Sequence, residues 1–150
     1  MRRIFTETTG CRDDSGEPDS RSMILDTSAL LAVLSDEPEA ARFASAIESS
    51  DVVRMSAASY VEAAIYVDRN GDEVQRAMLD TFLAEFSIRI EPVTAEQALL
   101  ARQAFVLFGK GRHKAGLNFG DCFSYALARA YREPLLFKGG DFGYTDLEAA

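Results

Sequence analysis

The sequence predicts one α/β domain built on a parallel sheet with helices on both faces. Short apolar runs alternate with amphipathic stretches from residue 23 onward. The stretches between runs are long enough to hold a helix, which a parallel crossover requires. The 150 residues are 47% hydrophobic and 27% charged, enough for one core rather than two.

The elements follow from local patterns. Met23-Ile24-Leu25 is a short apolar strand ending at Asp26, and Thr27-Ser28 offers hydroxyls to cap a helix over Ala29–Leu34. Pro38 fits the first helical position of a second helix running to about Ser49, with Ala41, Phe43, Ala44 and Ile47 as its apolar positions. Val52–Met55 reads as the next strand. A helix from Ala57 to Asp68 follows and is closed by Asn70-Gly71. Val74, Met78, Leu79, Phe82 and Phe86 recur at helical spacing within Glu73–Phe86. Ile88–Val93 is a third strand, which Pro92 confines to an edge or a terminus. Thr94 and Gln97 have capping-box spacing ahead of a helix over Ala98–Phe108. A basic, glycine-rich loop, Gly109–Gly116, precedes the helix Phe119–Tyr131 and the strand Pro134–Phe137.

Residues 1–22 are polar and bury almost nothing, so they read as a disordered leader, an appendage to a domain spanning 23–150. The leader lacks the apolar centre of a signal peptide, and no stretch approaches the roughly 20 apolar residues of a membrane span. Cys11 and Cys122 lie in unlike settings, which speaks against a disulfide between them and for a cytoplasmic protein. A net charge of -8 excludes a protein that coats nucleic acid through a broad basic surface.

In open parallel sheets, sites form beyond the carboxyl ends of the strands. That rule singles out Asp26, after the first strand, and Asp141, after the last; Glu62 and Asp121 lie in early turns of two helices. Carboxylates brought together raise one another's pKa unless a cation neutralises them, and hard divalent cations take such oxygen ligands. The chemistry implied is metal-assisted phosphodiester hydrolysis. Each acid also has a purely structural reading. Ser59 with Glu62 and Asn118 with Asp121 have capping spacing, and KGGDF is a plausible turn. Two alanines after Glu62 leave room for a close approach, while a carboxylate ending a buried strand, as at Asp26, costs desolvation unless paired. Ser28 and Asn118 are caps that also stand near the acids. Lys110, Arg112 and Lys114 occupy the acid-free interval between Glu96 and Asp121, and with Lys138 they are candidate contacts to a phosphate backbone. His113, alone in the sequence, reads as an ordinary surface histidine, and Cys122 as a small core residue.

MILDTSAL at 23–30, SAASYVEAA at 56–64, LNFGDCFSYALA at 117–128 and EPLLFKGGDF at 133–142 together resemble a PIN-domain protein of the VapC toxin type. The resemblance covers residues 23 to about 147. It implies a three-layer α/β/α sandwich with a mostly parallel sheet, and an endoribonuclease dependent on Mg²⁺ or Mn²⁺. The family's acids fall on Asp26, Glu62, Asp121 and Asp141. Asp26 and Asp121 would be direct metal ligands, with Glu62 and Asp141 binding a second ion or acting through water, and the hydroxyl after the first acid corresponds to Ser28. The resemblance further implies a homodimer and a cognate antitoxin that blocks the acidic pocket. Two other readings compete. An aspartyl-nucleophile phosphatase would need a second acid where Ser28 stands. A catalytically silent PIN-like module would bind RNA or protein without cleaving.

Overall fold

The computed structural model describes residues 21–150. In order they form β1 (Ser22–Leu25), α1 (Thr27–Leu34), α2 (Ala40–Glu48), β2 (Val52–Ser56), α3 (Ala57–Asn70), α4 (Glu73–Glu85), β3 (Arg89–Glu91), α5 (Ala95–Phe108), α6 (Phe119–Tyr131), β4 (Leu135–Leu136) and a 3-10 turn, Asp141–Tyr144. The sheet order is β3-β2-β1-β4, and every pairing is parallel. The chain moves outward from β1 to β2 to β3, then crosses back to lay β4 on the other side of β1. Because such crossovers are right-handed, the outward and return paths place their helices on opposite faces.

Side chains alternate across the strands, and the two cores divide accordingly. Met23, Leu25, Val53, Met55 and Leu136 face α1–α4, where they meet Leu30, Phe43, Ile47 and Leu79. Ile24 and Leu135 face α5 and α6, against Ala104, Tyr125 and Leu127. The expected three-layer α/β/α sandwich with a parallel sheet is therefore what forms. Full burial of side chains such as Ile24, Leu25 and Leu30 contributes about 1.5–3 kcal/mol each. No helix among the described residues is long and apolar enough to cross a membrane.

The boundaries differ from expectation where local contacts override pattern. Ser22, assigned to the leader, is the first residue of β1 and pairs with Val52. The disorder expected of the rest of the leader, and any pairing of Cys11, lie outside the described residues, apart from Arg21, whose N–H donates to Asp51. α2 begins at Ala40, so Pro38 sits in the turn before the helix rather than at its first position. β3 is only three residues long, ends just before Pro92 and lies at the sheet edge. β4 is shorter than expected, but the chain end runs beside it: Leu135 N–H donates to Glu148 O, and Ala150 N–H donates to Leu135 O.

One charged side chain on the α5–α6 face of the sheet is matched by two carboxylates. Arg54 of β2 donates to Glu91 at 2.8 Å and to Glu133 at 3.2 Å, and its guanidinium lies 4.4 Å from the Tyr131 ring centroid. It thereby joins β2, β3 and the α6–β4 connection. Removing it leaves two mostly buried carboxylates unpaired, so Arg54→Ala lowers the unfolding free energy by about 3 kcal/mol. Urea denaturation followed by circular dichroism measures this, and an unchanged midpoint would show that the network contributes nothing.

Candidate active site

Asp26 closes β1 and is 3% exposed. The expectation that Thr27 and Ser28 cap α1 is corrected: Asp26 is itself the N-cap, with extended backbone at φ -83 and ψ 153. Its Oδ2 accepts from Ser28 N–H at 3.0 Å and Ser28 Oγ at 2.6 Å. Its Oδ1 accepts from Ser124 Oγ at 2.5 Å. Ser28 Oγ in turn accepts from Lys138 N–H at 2.9 Å, which ties the end of β1 to the loop after β4. Thr27 lies inside the first turn and donates to Ser59 O at 3.0 Å.

Glu62 does not belong to a capping box. Ser56 caps α3, accepting from Ala58 N–H, so Ser59 is three residues into the helix and Glu62 a turn deeper. The Ser59 hydroxyl instead meets Ser124 Oγ at 3.0 Å. Much of Glu62 is open to solvent, but its carboxylate lies against Gly120, where a β-carbon would come within 1.9 Å of Oε2. Gly120 on α6 therefore supplies room at the carboxylate, whereas Ala63 is packed in the core. The Glu62 carboxyl is pushed above its ordinary value, chiefly by burial of that end; the Thr27 hydroxyl pulls it down and the Asp26 charge raises it.

Asp121 carries both duties its position allows. Asn118 Oδ1 accepts from Asp121 N–H, and Asp121 Oδ2 accepts from Asn118 N–H, each at 2.9 Å, a complete capping box at the start of α6. Its carboxyl is pushed up to about 6, first by burial, against the lowering Asn118 bond, and then by the charges of Asp26, Glu62 and Asp141. Asp141 is exposed and begins the 3-10 turn, after Gly139 at φ +93. The other late acid, Asp146, is engaged elsewhere, accepting from Tyr125 Oη at 2.7 Å and facing Arg129 at 3.5 Å.

The fold thus gathers Asp26, Glu62 and Asp141 within electrostatic reach of Asp121, near where the strand order reverses between β1 and β4. Among the described residues, no three Asp, Glu, His or Cys side chains stand close enough to chelate an ion as they lie. The all-oxygen donor set, with Asp121 raised by burial and by three neighbouring charges, nevertheless has the chemistry a hard divalent cation takes.

The basic candidates separate. Lys110, Arg112 and Lys114 are exposed on a loop closed at its base by Lys110 N–H to Leu117 O and Leu117 N–H to Phe108 O. Lys114 Nζ lies 4.5 Å from the Tyr144 ring centroid, bringing the loop against the turn that begins at Asp141. Arg112 stacks more loosely on Phe105, at 5.5 Å. The Lys138 ammonium is ion-paired with Glu37 and faces Glu39 at 3.8 Å, while its backbone N–H donates to Ser28 Oγ. His113 folds the loop by accepting from Ala115 N–H at 3.1 Å.

Gly120 and Ser124 were not singled out from sequence, and Ser59 was read only as a cap. A signal existed, since Ser59 with Glu62 and Asp121 with Ser124 are three apart on their helices and share a face.

The PIN domain family model matches residues 23–147. Ribonuclease VapC28 of Mycobacterium tuberculosis is 54% identical over 129 residues, covering 85% of this chain and 97% of that protein. The crystal structure of Mycobacterium tuberculosis VapC20, described as a sarcin-ricin loop cleaving toxin, superposes with a TM-score of 0.69 at 19% identity, covering 85% and 98% of the two chains. A toxin–antitoxin complex from Klebsiella pneumoniae gives 0.63 at 17% identity, covering 83% and 92%.

Two outcomes follow from this geometry. Gly120→Ala forces the flexible end of Glu62 aside, leaving stability within about 1 kcal/mol of the parent but impairing any activity that needs Glu62; paired melting and activity assays check this. Asp121 titrates at about 6 rather than 3.8, so between those values the folded chain holds a proton that the unfolded chain has lost. Its contribution to stability therefore falls as pH rises through that window. Asp121→Asn removes the penalty, and its melting temperature should exceed the parent's by about 3 °C at neutral pH, the difference closing as pH falls toward 4. A lower melting temperature at neutral pH overturns this.

Proposed function

The chain belongs to the PIN domain family, and from that membership we propose that it is a metal-dependent endoribonuclease acting as the toxin of a toxin–antitoxin pair. Relatives named VapC ribonuclease match it over nearly their whole length. The observation that carries the reading is Asp121, a carboxylate raised first by burial and then by the charges of Asp26, Glu62 and Asp141, which the fold brings together.

Asp26 and Asp121 would hold a Mg²⁺ or Mn²⁺ ion, with Glu62 and Asp141 reaching it through water or holding a second one. When bound, such an ion supplies a hydroxide-like nucleophile and stabilises the charge developing on the phosphate. The chain's own groups provide the rest. Ser28 and Ser124 orient the Asp26 carboxylate by donating to it. Asn118 fixes the Asp121 carboxylate through the capping box. Above a pH of about 6, Asp121 has released its proton and is free to accept a ligand. Lys110, Arg112 and Lys114 attract the phosphate backbone of RNA toward the crevice.

The partners in this reading are cytoplasmic RNA, a cognate antitoxin that covers the acidic crevice, and a second copy of the chain. An apolar face supports the homodimer: Phe119 is 80% exposed and lines a groove between α5 and α6 with Phe105 and Phe123.

The test is cleavage of single-stranded RNA by the purified chain with Mg²⁺ or Mn²⁺. Cleavage should require the ion, stop on chelation, and be lost in Asp26→Asn and Asp121→Asn. Undiminished cleavage in both variants removes the site, and binding of RNA without cleavage by the parent favours the silent module. Expression should arrest growth, with relief by the antitoxin.

A further inference from the structure

The hydrogen bonds around Asp26 have a direction that the distances alone do not state. The 2.5 Å contact runs from Ser124 Oγ–H to Asp26 Oδ1. That proton is then spent. The 3.0 Å contact between Ser59 and Ser124 must therefore run from Ser59 Oγ–H to Ser124 Oγ. A second chain reaches the other oxygen, from Lys138 N–H to Ser28 Oγ and from Ser28 Oγ–H to Asp26 Oδ2.

Counting lone pairs gives the consequence. Oδ2 accepts both the backbone N–H and the hydroxyl of Ser28, which uses its two lone pairs. Oδ1 accepts only Ser124 among the described residues, leaving one pair free. We propose that Ser124, backed by Ser59, is a positioning residue that turns the remaining Oδ1 lone pair of Asp26 toward the divalent cation. This rests on the metal-dependent reading of the site.

Packing does not explain the pair. Ser124 and Ser59 are almost completely buried, and alanine would fill nearly the same space without a hydroxyl to satisfy. A buried serine on a helix can also bond its own preceding carbonyls. Here the Ser124 hydroxyl crosses 98 residues of sequence to reach Asp26, and the Ser59 hydroxyl crosses 65 to reach Ser124. Hydroxyls in series polarise one another, so Ser59 acts on Asp26 only through Ser124.

The test uses the full chain and Mn²⁺ alone as probe, with calorimetric titration, thermal melting and steady-state RNA cleavage. Ser124→Ala should melt within a few degrees of the parent, bind Mn²⁺ about tenfold more weakly, and lose kcat with little change in KM for RNA. Ser59→Ala should show a smaller loss in the same direction, and the double variant should be no worse than Ser124→Ala, because the two act in one chain. Ser124→Thr, which restores the hydroxyl, should recover Mn²⁺ affinity. Parental Mn²⁺ affinity in Ser124→Ala, or strictly additive losses in the double variant, overturns the proposal. Should Ser124→Ala fail to fold, Ser59→Ala decides by the same titration: weakened binding supports the proposal and parental binding overturns it. Asp26→Asn separates the two levels. If it abolishes Mn²⁺ binding while Ser124→Ala is unaffected, only the positioning role is lost; if it too behaves as the parent, the metal-site reading itself fails.

Discussion

A buried carboxylate at the end of the central strand is the constraint around which this molecule is arranged. Asp26 is 3% exposed, and a charge in that position is tolerated only when donors replace the water it has lost. Those donors come from three places: its own helix turn, α6, and, through Ser28, the loop after β4. The sheet order makes this convergence possible. β1 lies between β2 and β4, so the α3 start that follows β2 and the loop that follows β4 flank it, with α6 packed beneath.

The same arrangement explains why the site is electrostatically uneasy. Asp26 has its donors, whereas Asp121 has one compensating bond against burial and three like charges, and its carboxyl rises to about 6. Strain of this kind is tolerated at functional sites because the surrounding packing holds it in place. Two continuous cores, one on each face of the sheet, supply that support. The carboxylates lean on backbone geometry as well. The Asn118–Asp121 capping box orients one, and the absence of a side chain at Gly120 admits another. A helix start and a glycine, each ordinary by itself, become parts of a site through what they face.

Much of this was legible in the residues. The alternation of apolar runs and amphipathic stretches yielded the order of strands and helices, and Pro92 marked the end of β3, since proline cannot donate to a ladder. The four acids were legible because strand ends and helix starts are marked locally. The Asn118–Asp121 box was readable for the same reason, both partners lying within one turn. The capping readings of Thr27, Ser28 and Glu62 failed because spacing cannot tell a cap from a residue one turn inside the helix. The ion pairing of Lys138 was not legible, because Glu37 and Glu39, about a hundred positions away, gave no sign of meeting it.

What the sequence by itself determined is therefore the set of elements, their order and the acids at their ends, all carried by periodicities and signals within a few residues. Only the tertiary structure decided that Ser124 lies under Asp26, that Gly120 makes way for Glu62, and that Arg54 is matched by Glu91 and Glu133. Helical periodicity states which face a residue shares, not which distant residue will stand opposite. That pairing arises only when crossovers bring segments 37 to 98 positions apart into contact.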